Sequence, residues 1–529
     1  MSDATCAPSP PGPHADLQRR QLLGLGLGLG ALASGCAPQP VQTVVPDSGQ
    51  PRFALGVASG VPRPQSVVLW TRLTGTGLPQ RVEVQWELAT DEGFVRVVAR
   101  GTETAEAHWA HSVHAEPQGM EPGRWYWYRF TALGQRSGVG RTRSAPAADD
   151  RAPVHFVTAS CQRWDHGHYA AWRHVVREAP DLVVFLGDYI YESAAVPGRV
   201  RSHDSFAHGG GCRSLADYRS RHALYKSDPA LQAAHAVAPW VAIWDDHEVE
   251  NDYAGLQGQR LQPDFAEQRA AAYQAWWEHM PVPLSMRPQG GQLRLYTHFD
   301  WGRLARLICL DTRQYRDPQA CPKSGRGGSN VVRMAECPML ADPRRSLLGA
   351  AQEGWLADTW STERRWNLLA QSTLMAQAVG GDRFDPSRAL VWTDGWDGYA
   401  PARQRLLQTV SQRRIPGCVV LGGDVHATYV ADLKVDPMAP GSPRVATEFC
   451  GTSISSHGWE QKRTDALLEM YPHLRYGRAD ERGYLSFRAE PGQLRVQIQS
   501  VLAPNDPDSG IRTAAAFVVE AGRPGAQPG

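Results

Sequence analysis

The chain carries almost no net charge: 55 Lys and Arg against 54 Asp and Glu leave +1 over 529 residues. That balance gives no electrostatic footing for nucleic acid or for an anionic membrane surface. Beyond the N-terminus it has no apolar run long enough to span a bilayer, so no transmembrane span is expected in the mature protein. It has no tandem repeat, and no low-complexity tract outside its two ends. A complete Gly-x-Ser-x-Gly is also missing. The segment GTSISS, Gly451 to Ser456, has no second Gly, which argues against a serine hydrolase despite Thr452, Ser453 and several His. Cysteine is sparse, and seven of the nine lie beyond Cys36. An odd seven leaves at least one thiol unpaired. Cys321 and Cys337 flank a Gly- and Ser-rich loop and form the best pair, whereas Cys309 and Cys418 sit in apolar runs and read as buried thiols.

What is present begins at the N-terminus. Arg19 and Arg20 precede the short apolar run LLGLGLGLGALA, Leu22 to Ala33, and then Ser34, Gly35 and Cys36. A basic pair, a short apolar run and small residues make an export signal over residues 1–36. RRQLL resembles a twin-arginine signal, without the usual Ser before the pair. Ala33 to Cys36 also resembles a lipoprotein cleavage box, with Ala33 where Leu is usual and Cys36 as the lipidated residue. The expectation is a periplasmic or secreted protein, lipid-anchored if Cys36 is modified. The twin-arginine export machinery is then a partner, and the chain crosses the membrane folded.

The chain is too long for one simple domain. From about Phe53 to Pro146 short alternating runs with turns dominate: SVVLWTRL, RVEVQWELA, FVRVVARG and RWYWYRFTALG. That pattern predicts a small all-β sandwich domain over 50–147, ending in the linker SAPAADDRAP. A catalytic domain over 152–510 and a tail over 511–529 follow. From Val154 the runs VHFVTAS, DLVVFLG, WVAIW, LARLICL, WNLLAQS and GCVVLGG alternate with helical stretches. The helices include 167–179, 215–226 and 264–279. Continuous apolar strands separated by helices predict an α/β sheet covered on both faces. Ligands of such sheets bind beyond the carboxyl ends of the strands.

Five strands end in potential metal ligands. After VHFVTAS come Cys161, Gln162 and Arg163; after DLVVFLG come Asp188, Tyr189, Ile190 and Tyr191; after WVAIW come Asp245, Asp246, His247 and Asn251. LARLICL is followed by Asp311, Thr312 and Arg313, and GCVVLGG by Asp424, Val425 and His426. Taken alone, the run WDDHEVEND, Trp244 to Asp252, could be a solvated acidic turn. Together, Asp, Asn and His at strand ends suit divalent and trivalent cations. Asp424 and His426 are two apart, so an extended segment points both to one side. Tyr191 follows Asp188 by one turn, and its phenolate is a hard donor that favours Fe(III). The thiolate of Cys161 suits iron or zinc. One carboxylate shared by two metals holds them about 3.5–4 Å apart, the spacing for in-line displacement at phosphorus; one metal then generates hydroxide and both neutralise phosphate oxygens.

GDYIYE, WDDHEVEND, LDTRQYRD, TDGWDGYAPAR, GGDVHATYV and EFCGTSISS, in that order, resemble the PhoD-like alkaline phosphatase and phosphodiesterase family. FALGVASGVPRPQSVVLWTRL and RWYWYRF resemble that family's N-terminal β-sandwich, so the likeness runs from about Phe53 to Val501. It implies a calcineurin-like metallophosphoesterase core, a two-sheet β-sandwich flanked by helices. It further implies an iron and calcium site: Cys161, Asp188, Tyr191 and His426 on Fe(III), Asp188 bridging, and Asp246, Asn251 and Asp424 on Ca2+. Asp245 competes with Asp246 and Asn251 for that second role, and Zn2+ or Mn2+ is the alternative metal. His247 follows Asp246 as the His follows Asn in the wider superfamily's GNHE, which implies a group that protonates the leaving oxygen or binds phosphate. Arg163 and Arg313 could clamp phosphate oxygens. Arg313 could instead brace a loop by pairing with Asp311. TDGWDGY, Thr393 to Tyr399, is expected to shape the substrate entrance, and His457 and Arg482 match family segments without an evident mechanism.

The activity so implied is an exported metal-dependent phosphoesterase acting on phosphate monoesters, diesters or both, with no nucleic acid as partner. Phospholipids or teichoic-acid-like polymers are alternative diester substrates for the same site. A reading of another class is a non-catalytic secreted binding protein whose working part is the N-terminal sandwich. An apparently full ligand set argues against it.

Overall fold

The computed structural model describes residues 49–529 except 195, 197, 204, 205, 207, 208 and 440. The expected export signal and Cys36 lie outside the described residues. The six apolar runs become the strands Val154–Ala159, Leu182–Leu186, Pro239–Ile243, Ala305–Cys309, Trp366–Ala370 and Cys418–Gly422. They divide between two sheets. The first three are parallel neighbours within a ten-stranded sheet, and the last three are parallel neighbours within a seven-stranded sheet.

The two sheets pack face to face. Phe449 of the smaller sheet lies 5.7 Å, ring to ring, from Phe487 of the larger, and Phe487 stacks on Phe156 at 4.7 Å. Period-two alternation sorts the side chains of the smaller sheet. Leu307, Leu368 and Val419 enter the core between the sheets. Ile308, Leu369 and Val420 enter the core shared with the helices Gly349–Thr359 and Ala400–Gln412. On the outer side of the larger sheet, Trp172 of helix Ala170–Glu178 lies 6.1 Å from Phe185 and 5.0 Å from Trp240. Strands buried on both faces need no polar side, which is why the runs are continuously apolar. Truncating one such residue, Leu369→Ala, would cost about 2–5 kcal/mol. The architecture is therefore the two-sheet sandwich flanked by helices, rather than the single doubly covered sheet that strand–helix alternation alone suggests.

Helix starts follow local chemistry. Helix Leu215–Lys226 opens on a reciprocal cap: Ser214 Oγ accepts the Asp217 N–H at 3.2 Å, and the Asp217 carboxylate accepts the Ser214 N–H at 2.8 Å. The apolar stretch His235 to Ile243, HAVAPWVAI, which contains the run WVAI, spans a helix end and a strand. Its first residues end the helix Pro229–Val237, which Asp228 caps by accepting the Ala230 N–H at 2.9 Å, and its last form strand Pro239–Ile243.

The expected N-terminal sandwich shares a sheet with the rest of the chain. Arg81–Ala89, Val97–Glu106 and Trp125–Ala132, with Gln135–Arg136 and Gly140–Arg143, form a five-stranded sheet. Val57–Arg63, Ser66–Arg72 and Ser112–Ala115 extend the ten-stranded sheet instead, through parallel pairing of Val57–Arg63 with Pro239–Ile243. Residues 511–529 are not a tail. They form the strands Ile511–Glu520 and Arg523–Pro528 at the other edge of the ten-stranded sheet, where Phe517 and Val519 are buried. No helix among the described residues is long and apolar enough to cross a membrane. Cys321 and Cys337 form a disulfide, and Cys161, Cys212, Cys309, Cys418 and Cys450 are buried free thiols.

Candidate metal centre

The parallel strands of both sheets run their carboxyl ends to one edge, and the polar clusters meet there. One ligand atom each from Cys161, Asp188 and His426 lies within 4.8 Å of the others, as does one each from Asp188, Asp246 and His247. Asp188 is common to both groups. Tyr191 joins the first: its hydroxyl donates to Asp188 Oδ2 at 2.8 Å and lies 3.0 Å from His426 Nε2. Asp424 accepts from Thr373 Oγ1 at 2.6 Å and lines the same edge beside His426. Asn251 reaches the cluster through its backbone, which donates to Glu192 Oε1 at 3.0 Å.

The backbone here is strained. Cys161, Asp188, Asp424 and His426 all have left-handed φ, at 57°, 59°, 63° and 50°. Non-glycine residues seldom adopt this conformation, and it gathers at functional sites. It also corrects the expectation for Asp424 and His426. They do not alternate along an extended segment; the strand ends at Gly422, and a left-handed turn brings both to the same cleft. Gly187, at φ 102°, is required because a Cβ there would lie 2.7 Å from the Asp245 backbone nitrogen.

The electrostatics ask for positive charge. Burial, then the carboxylates of Asp188, Asp424 and Asp245, raise the Cys161 thiol well above its ordinary range. Burial, then Asp188 and Cys161, do the same to Tyr191. Burial first, with Asp245 and Asp246 adding, raises Asp188 and Asp424. Burial also pushes His426 down to about 3, so its ring is neutral. Its Nδ1 lies 2.8 Å from the His457 carbonyl, to which it donates, leaving the Nε2 lone pair facing the cluster. Asp188 Oδ1, Asp246 Oδ1 and Asp245 Oδ2 are buried without a hydrogen-bond partner. Unpartnered carboxylate oxygens are costly unless a cation shares them, so the donor set fits bound metal.

The acidic run resolves residue by residue. Glu248 accepts the backbone N–H groups of Asp188 at 3.1 Å, of Tyr189 at 2.5 Å and of Asp245 at 2.8 Å, bracing two strand ends together. Glu250 takes Arg260 and Gln262, and Asp252 takes Ser329 and Gln259. Asp245 takes Ser372 Oγ at 2.9 Å and pairs with Arg313. Among the acids of WDDHEVEND, Asp246 is the one that faces Asp188 and His247. The solvated-turn reading fails, because all five acids are buried.

His247 Nδ1 lies 2.7 Å from Glu192 Oε2, and its ring lies 4.2 Å from that of Tyr191. Burial opposes its charge, but Glu192, Asp246 and Asp188 outweigh burial and raise it well above the ordinary histidine range. Arg163 donates Nε to Asp165 at 2.8 Å and lies 5.3 Å over the Tyr191 ring. Arg313 is not placed as a phosphate clamp. It is 1% exposed, paired with Asp245 and, at 2.9 Å, with Asp394, so its charge is spent inside the protein. Nor does its guanidinium brace Asp311, whose carboxylate instead accepts the Arg313 backbone N–H at 3.0 Å.

Four contributors escape a reading by residue type. Glu192 and Glu248 act through carboxylates that resemble any turn acid. His457 acts through its carbonyl. Arg482 donates to the His426 carbonyl at 2.9 Å and to Thr452 Oγ1 at 2.8 Å, locking the same turn. The signals available were the position of Glu192 immediately after Tyr191 and the likeness of the segments around His457 and Arg482 to the family, neither of which carries a mechanism.

The fold and the cluster are those of a metal-dependent phosphoesterase. The sequence profile of the PhoD-like phosphatase matches residues 156–498, and that of the PhoD-like phosphatase N-terminal domain matches 35–146. The chain belongs to the PhoD-like phosphatase family. It is 42% identical over 519 residues to alkaline phosphatase D of Bacillus subtilis (strain 168), covering 94% of this chain and 86% of the relative. A solved structure of PhoD superposes with a TM-score of 0.82 at 40% identity, covering 89% of this chain and 90% of that one. The purple acid phosphatase PPD1 from yellow lupin (Lupinus luteus) seeds shares the fold, with a TM-score of 0.54 at 9% identity over 88% of this chain and 74% of that one.

Proposed function

We propose that Cys161, Asp188, Tyr191 and His426 hold one cation, Fe(III), and that Asp188 bridges to a second, Ca2+, served by Asp246, Asn251 and Asp424. The observation that carries this reading is the convergence of Cys161, Asp188 and His426 donor atoms within 4.8 Å, beside a buried Asp188 Oδ1 that has no hydrogen-bond partner. Phenolate and thiolate donors suit Fe(III), and an all-oxygen set suits calcium; Zn2+ or Mn2+ matches less well. When bound, such a pair supplies Lewis-acid polarisation of the phosphate and acidification of water.

The chain's own residues do the rest. Glu192 holds His247 through Nδ1, so Nε2 is the atom that hands a proton to the leaving oxygen or binds a phosphate oxygen. Arg163, over the Tyr191 ring, supplies the second positive group. The substrates are phosphate monoesters, diesters or both; phospholipid and polymer diesters are variants of the same chemistry. The name of the Bacillus relative, alkaline phosphatase D, supports a phosphate ester. Arg19, Arg20 and the short apolar run support export by the twin-arginine route to the periplasm or beyond, with Cys36 as a lipid anchor if modified. The functional units are the N-terminal 50–147 and the catalytic 152–510, the latter completed by the two strands that follow it.

Elemental analysis and an absorption spectrum of the exported protein test the metal assignment. Iron near one per chain, calcium, and a visible charge-transfer band support it. Zinc alone without colour makes Tyr191 and Cys161 bystanders. Turnover of p-nitrophenyl phosphate against its bis ester separates monoester from diester preference, and no turnover with any metal sinks the enzymatic reading.

A further inference from the structure

A cleft of about 450 Å³ opens beside Asp424 and His426. Sites that hold whole small molecules span about 300–1,000 Å³, so the cleft has room for more than a phosphate group. Its walls come from separate segments. One is Ser329 to Val331, within the loop closed by the Cys321–Cys337 disulfide. Another holds Trp392 and Trp396, and a third holds Trp459 and Leu467, with Leu374 and Tyr429 also in the lining.

The aromatic part of this lining is arranged to receive a flat group. Trp392 and Trp459 are half-buried, leaving ring surface at the cleft. Both are fixed. Gly395 lies against Trp392 so closely that a Cβ there would be 2.9 Å from the indole. The Trp459 Nε1 donates to Thr464 Oγ1 at 2.9 Å, and the Arg463 guanidinium lies 4.6 Å over its ring. The rim is positive. Lys323 and Arg463 are exposed and form no ion pair with an acidic side chain among the described residues. Asp397, the acid on the Trp396 wall, is committed to Arg403 at 2.7 Å.

We propose that this cleft binds an aromatic substituent carried on the phosphate, and that Trp392 and Trp459 select esters bearing a planar apolar group over those bearing a small one. The inference rests on the phosphoesterase reading of the adjoining cluster. Rigid indoles gain from stacking beyond area burial and lose little conformational freedom on binding. A flexible acyl chain gains area burial alone and is ordered at a cost. The exposed cations draw an anionic ester toward the opening.

Competitive inhibition of the metal-loaded enzyme by methyl-, octyl- and phenylphosphonate tests this, because these share one headgroup and are not hydrolysed. Phenylphosphonate is expected to bind about tenfold tighter than methylphosphonate. In Trp392→Ala and Trp459→Ala that ratio should shrink to about threefold or less, with methylphosphonate inhibition and metal content unchanged. Leu374→Trp, which fills the cleft, should weaken phenylphosphonate alone. Equal inhibition by methyl- and phenylphosphonate, or an unchanged ratio in both Trp variants, overturns the subsite. Octylphosphonate binding tighter than phenylphosphonate overturns the aromatic assignment. Absence of all phosphate ester turnover and of inhibition by any phosphonate overturns the phosphoesterase reading beneath it, a result distinct from the others.

Discussion

Glu192 Oε2 lies 2.7 Å from His247 Nδ1, while Oε1 of the same carboxylate accepts the Asn251 backbone N–H at 3.0 Å. One carboxylate therefore sets the ring orientation of the proposed acid and the turn of a proposed calcium ligand. Such an outer partner commonly matters 10–100-fold.

Glu192→Gln is expected to lower kcat/KM by about 10–100-fold with the fold intact. The amide can still accept from His247 but no longer offers a charge to the imidazolium. Steady-state kinetics beside circular dichroism check this; full activity in Glu192→Gln would remove the residue from the mechanism.

Asp188 belongs to both ligand groups. Asp188→Asn should strip both cations together, whereas Cys161→Ser should deplete the iron while leaving calcium. The measurement is metal content per chain with the visible spectrum. Chelator treatment of the native enzyme should also lower Tm, since a metal that binds only the folded state stabilises it by mass action.

Arg313 neutralises Asp245 and Asp394 in a setting where all three are about 1% exposed. Arg313→Ala should destabilise the protein by about 3–5 kcal/mol, the penalty for stranding buried charges. Arg313→Lys should not restore it, because a point charge cannot serve two carboxylates at once. Denaturant melts decide. A raised KM with unchanged stability would instead return Arg313 to the substrate.

Four buried bases should each contribute stability that grows with pH, against the opposite contribution of raised buried acids such as Asp188, Asp424 and Cys161. Burial, with Lys226 adding, holds His222 and His235 well below the ordinary histidine range; burial, then Arg72 and His222, does so for His279, and burial lowers Lys226 to about 7. For each, the folded value lies below the unfolded one, so the unfolded chain binds more protons. The histidine contribution is present above about pH 6.5 and is lost as pH falls below it. The Lys226 contribution alone should climb from about pH 7 towards 10. Urea midpoints at pH 5.5, 7 and 9 measure this. The Lys226 part is read as the stability of the native protein minus that of Lys226→Met, a difference that should grow between pH 7 and 9.

The division of the strands between two sheets was not legible in the chain, whereas the strands themselves and the polar residues clustered at their ends were, because hydrophobic period and residue chemistry are local properties. So were the disulfide between Cys321 and Cys337 and the helix 215–226. Less was visible of what each acid in WDDHEVEND does. Asp245 and Asp246 are adjacent and chemically identical, and both reach Arg313, yet only Asp246 also groups with Asp188 and His247. Nothing local distinguishes them. The choice depends on which carboxylate the strand end turns toward which neighbour. In the same way, residues 511–529 read as a C-terminal tail until their strands find the edge of a sheet whose first strand starts at Val57.

By itself the sequence determined the alphabet of the site: a thiol, a phenol, imidazoles and carboxylates, each at the mouth of an apolar strand. Tertiary structure alone decided which of these converge on one another, which are neutralised and which brace the backbone. The physical reason is range. A strand's burial is set by its own side chains, whereas the state of a buried charge is set by whatever distant group the fold brings within a few ångströms.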